Sequence, residues 1–181
     1  MTVGFKDKIE KIRPELEKEL GITNPMALPK IVKVVVSSGT GKAKDKKRTE
    51  LVADRIGKIT GQKPALRGAK KSIATFKLRE GDVIGVAVTL RGARMYGFLD
   101  KLINVAVPRT RDFRGFTITS VDDMGNLTLG LKEHTIFPET TDEELRDVFG
   151  LAITVVTTAR NKKEAQTFFK LLGFPFKKAL A

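Results

Sequence analysis

Val83-Ile84-Gly85-Val86-Ala87-Val88-Thr89-Leu90 runs into Arg91-Gly92-Ala93-Arg94, and from Met95 onward the periodicity changes. The first eight residues are apolar and rich in β-branching, which predicts a strand. Met95, Phe98, Leu99, Leu102, Ile103 and Ala106 then recur at helical spacing, and Pro108 stops the run. A strand that feeds a helix directly points to a mixed fold, and the flanking sequence repeats the alternation. Upstream, Ile31 to Val36 is nearly all β-branched and reads as a strand, followed by the turn Ser37-Ser38-Gly39-Thr40-Gly41. After the basic run Lys42 to Arg48, Leu51, Val52, Ile56 and Ile59 predict a helix ending at Gly61. Pro64 to Arg67 is a short strand candidate. Lys70 to Gly81 has no clean period and reads as an exposed loop. At the N-terminus Phe5, Ile9, Ile12, Leu16 and Leu20 are helical in spacing. Pro14 predicts two short helices or one kinked at Arg13, and Gly21 caps the end.

Downstream of Pro108, Arg109 to Gly115 is turn-like, and Phe116, Ile118 and Val121 suggest a strand. Leu127, Leu129 and Leu131 would return from it across the turn Asp122 to Asn126. Thr141 with Glu144 fits a capping box, Ile153 to Thr158 is a strand, and Asn161 with Glu164 opens a helix to Leu172. There is no internal repeat or low-complexity linker. The reading is one α+β domain over residues 1–181, an open sheet with helices packed on it and an exposed loop at 70–81.

Composition narrows the function. The chain has 181 residues and a net charge of +13. Residues 30–114 hold 21 basic and 7 acidic residues, a net of +14, so the middle carries the whole excess. Such a block fits a polyanion-binding face better than a mixed solvated surface does. Residues 115–160 hold 3 basic and 8 acidic residues and would face something else. With no cysteine and one histidine, disulfides, thiolate sites and multi-histidine metal sites are excluded, and a reducing cytoplasm is expected. No apolar run reaches the roughly 18–20 residues of a membrane span. The alternating charges of Met1 to Leu20 are unlike a signal peptide.

The candidate motifs for enzyme chemistry are weak. Gly39-Thr40-Gly41-Lys42 lacks the glycine spacing of a phosphate loop, and Ala43 stands where a metal-binding hydroxyl would be. A lone His134 is more often structural or exposed than catalytic. Asp122-Asp123 and Glu143-Glu144 fit a turn and a helix's first turn, not a metal site. No catalytic residue, cofactor, metal or small-molecule substrate is expected. The basic segments are more informative. Residues 69–81 hold Lys70, Lys71, Lys77 and Arg79 with Ser72, Thr75 and one aromatic, Phe76, which could pack or stack. Arg91 and Arg94 flank the end of a strand. Arg109, Arg111 and Arg114 cluster around Phe113, and arginine suits bidentate phosphate contacts.

In order, these residues resemble the bacterial large-subunit ribosomal protein family numbered five, the 5S rRNA-binding protein of the central protuberance. The resemblance covers about Leu20 to Phe176. It is densest at Thr60-Gly61-Gln62-Lys63-Pro64, Ala69-Lys70-Lys71-Ser72-Ile73-Ala74, Phe76-Lys77-Leu78-Arg79-Glu80-Gly81 and Val88-Thr89-Leu90-Arg91-Gly92. Pro108-Arg109, Arg111-Asp112-Phe113-Arg114-Gly115, Ile136-Phe137-Pro138-Glu139 and Gly173-Phe174-Pro175-Phe176 extend it. The resemblance implies an antiparallel sheet with helices on one side and no enzyme activity. It implies binding of 5S rRNA and attachment of it to the large-subunit rRNA, contact of loop 70–81 with the peptidyl-site tRNA, and a bridge to a protein of the small-subunit head. Its implied place is the cytoplasmic ribosome.

On that basis the expected 5S rRNA contacts are Lys33, Ser37, Thr40, Lys42, Gln62, Lys63, Thr89 and Arg91, at strand ends and turns of the basic block. Lys70, Lys71, Ser72, Thr75, Lys77 and Arg79 are expected on tRNA, and Arg94, Arg109, Arg111 and Arg114 on further rRNA. Two stretches depart from the family pattern. Ser37 stands in place of the usual Asn after the first strand, with Lys42 in place of an acid, and Met124 in place of an arginine in the turn 122–126. The competing reading from composition alone is a free basic accessory protein, such as a chromatin or tRNA-binding module.

Overall fold

A computed structural model describes residues 4–41, 46–111, 113–140 and 148–177. Four helices and five strands make up the regular structure of those residues: α1 (Phe5–Leu20), β1 (Ile31–Gly39), α2 (Lys46–Thr60), β2 (Ala65–Gly68), β3 (Val83–Leu90), α3 (Gly92–Lys101), β4 (Leu127–Leu131), β5 (Leu151–Thr157) and α4 (Lys162–Leu171). The strands form one open antiparallel sheet in the order β2-β3-β1-β5-β4, so the architecture is α+β as the sequence predicts. The expected helix opened by Thr141 and Glu144 lies outside the described residues, as does Lys42.

The strands owe their pairing to alternation. Val34, Val36 and Ser38 of β1 are buried, and so are Val86, Val88 and Leu90 of β3 and Leu151, Ile153, Val155 and Thr157 of β5. The residues between them, such as Val35, Ser37, Ala87, Thr89, Thr154 and Val156, are half-exposed. One side of each of these three strands therefore faces the core and the other is only partly covered, the pattern of an antiparallel sheet with one main packed face. Burial of the apolar side supplies the driving force, at about 25 cal/mol for each Å² of apolar surface removed from water.

Contacts divide the chain into two compact units. The first contains residues 1–34, 91–129 and 154–181. In it α1 packs against α3 and α4. Phe5, Phe169 and Phe174 meet edge to face, with ring centroids 6.4 Å (Phe5 to Phe174) and 5.1 Å (Phe169 to Phe174) apart. The second contains residues 35–90 and 130–153. In it α2 packs on β3, burying Val52, Ile56 and Ile59. Arg55 of the same helix is also buried, with Nη1 3.5 Å from Nε2 of His134. The His134 ring stacks on Phe149 at 4.1 Å, and the Phe149 N–H donates to its Nδ1. The one histidine is thus a core residue.

Several sequence expectations change. Pro14 neither splits nor ends α1, which runs unbroken from Phe5 to Leu20. Glu10, whose carbonyl loses its usual donor to the proline, is exposed, so water can take the donor's place. The helix expected to continue to Ala106 changes to a π-helical turn at Leu102–Ala106, where the Val107 N–H donates to the Leu102 carbonyl at 2.9 Å. The strand expected over Phe116, Ile118 and Val121 does not form. Phe116 makes a single bridge to Phe176, Val121 a single bridge to Leu127, and Ile118–Ser120 is a 3-10 turn. Asn161 precedes α4 as expected, but its side chain makes no capping bond. Instead Glu164 accepts the Arg160 N–H at 3.0 Å.

Candidate nucleic-acid interface

The less covered side of the second unit is built from β2, β3 and the second half of β1. Antiparallel pairing sets Ala65 opposite Ala87 and Arg67 opposite Gly85. Cross-strand partners share a face, so Arg67 lies on the same side as Ala87 and Thr89. Small residues dominate that side, and at Gly85 a Cβ would sit only 3.1 Å from the Ser38 carbonyl oxygen, tighter than ordinary packing. The result is a low surface over which another chain's backbone can pass closely.

Gln62 and Lys63 reach this rim because α2 ends abruptly. Gly61 takes φ +66° and donates its N–H to the Gly57 carbonyl, while the Thr60 hydroxyl donates to the Ile56 carbonyl at 2.7 Å. Half-buried Gln62 then donates from Nε2 to the Thr89 carbonyl at 3.4 Å, which ties these two predicted residues together. Lys63 is exposed beside them. Ser37 lies half-exposed on β1. Thr40 does not join them. It is 5% exposed, its N–H donates to the Ile84 carbonyl, and its hydroxyl accepts from Thr49 at 3.3 Å. On β1 residues 34, 36 and 38 turn inward, and Thr40, one residue past the strand's end, continues that alternation. Arg67 is the residue that sequence reading missed. A four-residue strand is too short to show alternation, and only its register against β3 reveals the face.

Loop 70–81 grows from the end of this ladder. Its base is closed by Ala69 N–H to the Asp82 carbonyl at 2.8 Å and Gly81 N–H to the Ala69 carbonyl at 3.0 Å. The loop has internal structure that the sequence did not announce. Ile73 and Leu78 exchange two backbone hydrogen bonds around a 3-10 turn at Ala74–Phe76, and Lys77 closes it in the left-handed region at φ +50°. The Ser72 hydroxyl oxygen accepts the Glu80 N–H at 2.9 Å, and the Asp82 carboxylate accepts the Arg79 N–H at 2.8 Å. Residues 70–77 and Arg79 are all exposed. Ser72 therefore braces the loop, while Lys70, Lys71, Thr75, Lys77 and Arg79 are displayed.

In the first unit, Lys33 is half-exposed on β1, Arg91 precedes α3, and Arg94 is exposed in its first turn. Arg109 and Arg111 follow the π-helical turn in successive tight turns, in which Arg109 N–H donates to Ala106 and Thr110 N–H to Val107. Phe113 anchors this segment edge-on to Phe116 at 5.0 Å, leaving Arg114 exposed. Among the described residues, Lys33, Lys63, Arg67, Lys70, Lys71, Arg79, Arg91, Arg94, Arg109, Arg111 and Arg114 form no ion pair, unlike Lys58, which pairs with Asp54 at 2.8 Å. Unneutralised cations of this kind release condensed counterions when they meet phosphates. Among the described residues no group of three or more His, Asp or Glu side chains could hold a metal, and no helix is long and apolar enough to cross a membrane.

The chain is similar to known proteins along nearly its whole length. Residues 24–79 match the family described as ribosomal protein L5, and residues 83–176 match the model of that ribosomal family's C-terminus. The large ribosomal subunit protein uL5 of Anaeromyxobacter sp. (strain Fw109-5) is 48% identical over 179 residues, covering 98% of this chain and 99% of that protein. The uL5 protein of Synechococcus sp. (strain RCC307) is 50% identical over 169 residues, covering 93% and 94%. That of Mycoplasma mycoides subsp. mycoides SC is 49% identical over 179 residues, covering 98% of each. With both family regions matched in order along nearly the whole chain, the protein belongs to the ribosomal protein L5 family.

Proposed function

We propose that the chain, acting as one RNA-binding domain, holds 5S rRNA against the less covered face of its sheet and helps attach it to the large-subunit rRNA. As a member of its family it is a structural constituent of the large ribosomal subunit, works in the cytoplasmic ribosome and is not an enzyme. The single observation that carries the 5S rRNA reading is the second unit's rim, where Gln62 is bound to the Thr89 carbonyl next to exposed Lys63, and Arg67 is exposed further along the same face, opposite Gly85. Hydroxyls and amides there can meet RNA sugars and phosphates, and the unpaired cations supply the sequence-independent attraction. Lys33, Ser37 and Arg91 extend the same chemistry. Lys42 belongs to this proposal on its sequence position alone. Arg94, Arg109, Arg111 and Arg114 suit further rRNA contacts. Loop 70–81 contacts the peptidyl-site tRNA through its displayed cations, and the acidic balance of residues 115–160 suits a basic protein of the small-subunit head. Sedimentation tests the structural role against a loosely held accessory protein. The chain should stay with large subunits at about one copy each through high-salt washes, and release by those washes would refute it.

A further inference from the structure

We propose that the ring of Phe76 stacks on an unpaired base of the RNA that loop 70–81 meets, adding an aromatic contact to the loop's cations. This inference rests on the reading of that loop as a tRNA contact. A phenylalanine is ordinarily buried, yet Phe76 is 66% exposed. Phe113, the other aromatic set among cations, packs on Phe116 instead. Phe76 is not outside the core through slackness of the chain. The Ile73–Leu78 bridge, the Lys77 N–H to the Ala74 carbonyl and the Ser72–Glu80 bond fix the backbone on both sides of it. A ring held out on a braced turn has only its two side-chain torsions left to order, so binding through it costs little conformational entropy.

The surroundings select the partner. Lys70, Lys71 and Arg79 are exposed and form no ion pair among the described residues. Ala74 and Thr75, also in the turn, are small. An exposed aromatic ring on a loop that also displays cations is the chemistry of a base-stacking contact on a phosphate-bearing strand, tolerant of which base is present. The cations would hold the backbone, and the ring would hold one base that the RNA fold leaves unstacked.

The test uses ribosomes reconstituted with the full chain and measures dissociation of tRNA from the peptidyl site. Phe76→Ala should speed dissociation about tenfold, within the range expected for losing one base–aromatic stack. Phe76→Trp should match or slow the wild-type rate, and Phe76→Leu, apolar but without a π face, should behave like the alanine variant. Thermal melting should be the same for all three, because the ring is outside the core. A Phe76→Leu variant with the wild-type rate would overturn stacking. A neutral Phe76→Ala together with faster dissociation from a Lys70→Ala/Lys71→Ala variant would overturn the inference and leave the loop reading standing. No effect from either variant would overturn both.

Discussion

The double variant Lys63→Gln/Arg67→Gln separates a phosphate-binding rim from a merely solvated one. Both side chains are exposed and unpaired among the described residues, so neutralising them should change folding stability by less than about 0.5 kcal/mol. If each contacts one phosphate, the slope of log K against log salt should fall by about 1.4–1.8, at about 0.7–0.9 per contact. Raising salt from about 50 to 200 mM would then cost the variant roughly tenfold less affinity than it costs the wild type. Lys58→Gln is the internal control, because Asp54 already neutralises that lysine at 2.8 Å. Its slope should match the wild type. The assay is a salt titration of 5S rRNA binding by fluorescence anisotropy. A double variant whose slope equals that of wild type and of Lys58→Gln would remove Lys63 and Arg67 from the interface and refute the counterion argument.

Other expectations follow from local geometry. Gly125→Ala should destabilise the protein by about 2–4 kcal/mol and lower Tm by roughly 5–15 °C, because φ is +80° and the new Cβ would lie 2.8 Å from the Ala159 Cβ. A melting curve unchanged from wild type would contradict that packing. Deleting Ser72 to Leu78 should leave 5S rRNA binding near normal while tRNA retention in the peptidyl site falls, as read by filter binding and by tRNA dissociation. The reverse pattern would assign the loop to 5S rRNA. Thr40→Val, which removes a hydroxyl bonded to Thr49 inside the fold, should lower Tm by a few degrees at about 1 kcal/mol. It should leave 5S rRNA affinity unchanged, and a large loss of affinity would return Thr40 to the interface.

Much of the fold was legible because its two longest strands are rich in β-branched residues, although β1 runs on to Gly39 through Ser37 and Ser38, which the sequence reads as a turn. Ile31 to Val36 and Val83 to Leu90 needed no tertiary information, and Gly61 and Gly21 marked helix ends by the left-handed conformation they supply. Phe116, Ile118 and Val121 misled because alternation is necessary for a half-buried strand but does not provide a neighbour to pair with. Only single bridges to Phe176 and Leu127 were available. The structure inside loop 70–81 was hidden for a different reason. It depends on the bond between Ser72 and Glu80, eight positions apart, and on a lysine in the left-handed region, where glycine is the usual signal. In the candidate site, charge located the basic block and the family resemblance named the residues, but neither distinguished in from out. Reading Ser37 to Gly41 as a turn hid the alternation of β1, which leaves Ser37 half-exposed and Ser38 buried, with Thr40 buried just past the strand's end. Arg67 had no such signal.

Specific recognition of 5S rRNA by the basic surface is the central proposal. The direct measurement is the affinity of the purified chain for 5S rRNA beside length-matched control RNAs, taken at near-physiological salt where phosphate attraction alone is weak. The account predicts that 5S rRNA binds at least about a hundredfold more tightly than the controls, a preference short of the full range that specific nucleic-acid proteins reach over their nonspecific binding. Equal affinity for all the RNAs would contradict it, and would leave a basic protein held in the ribosome by its other contacts.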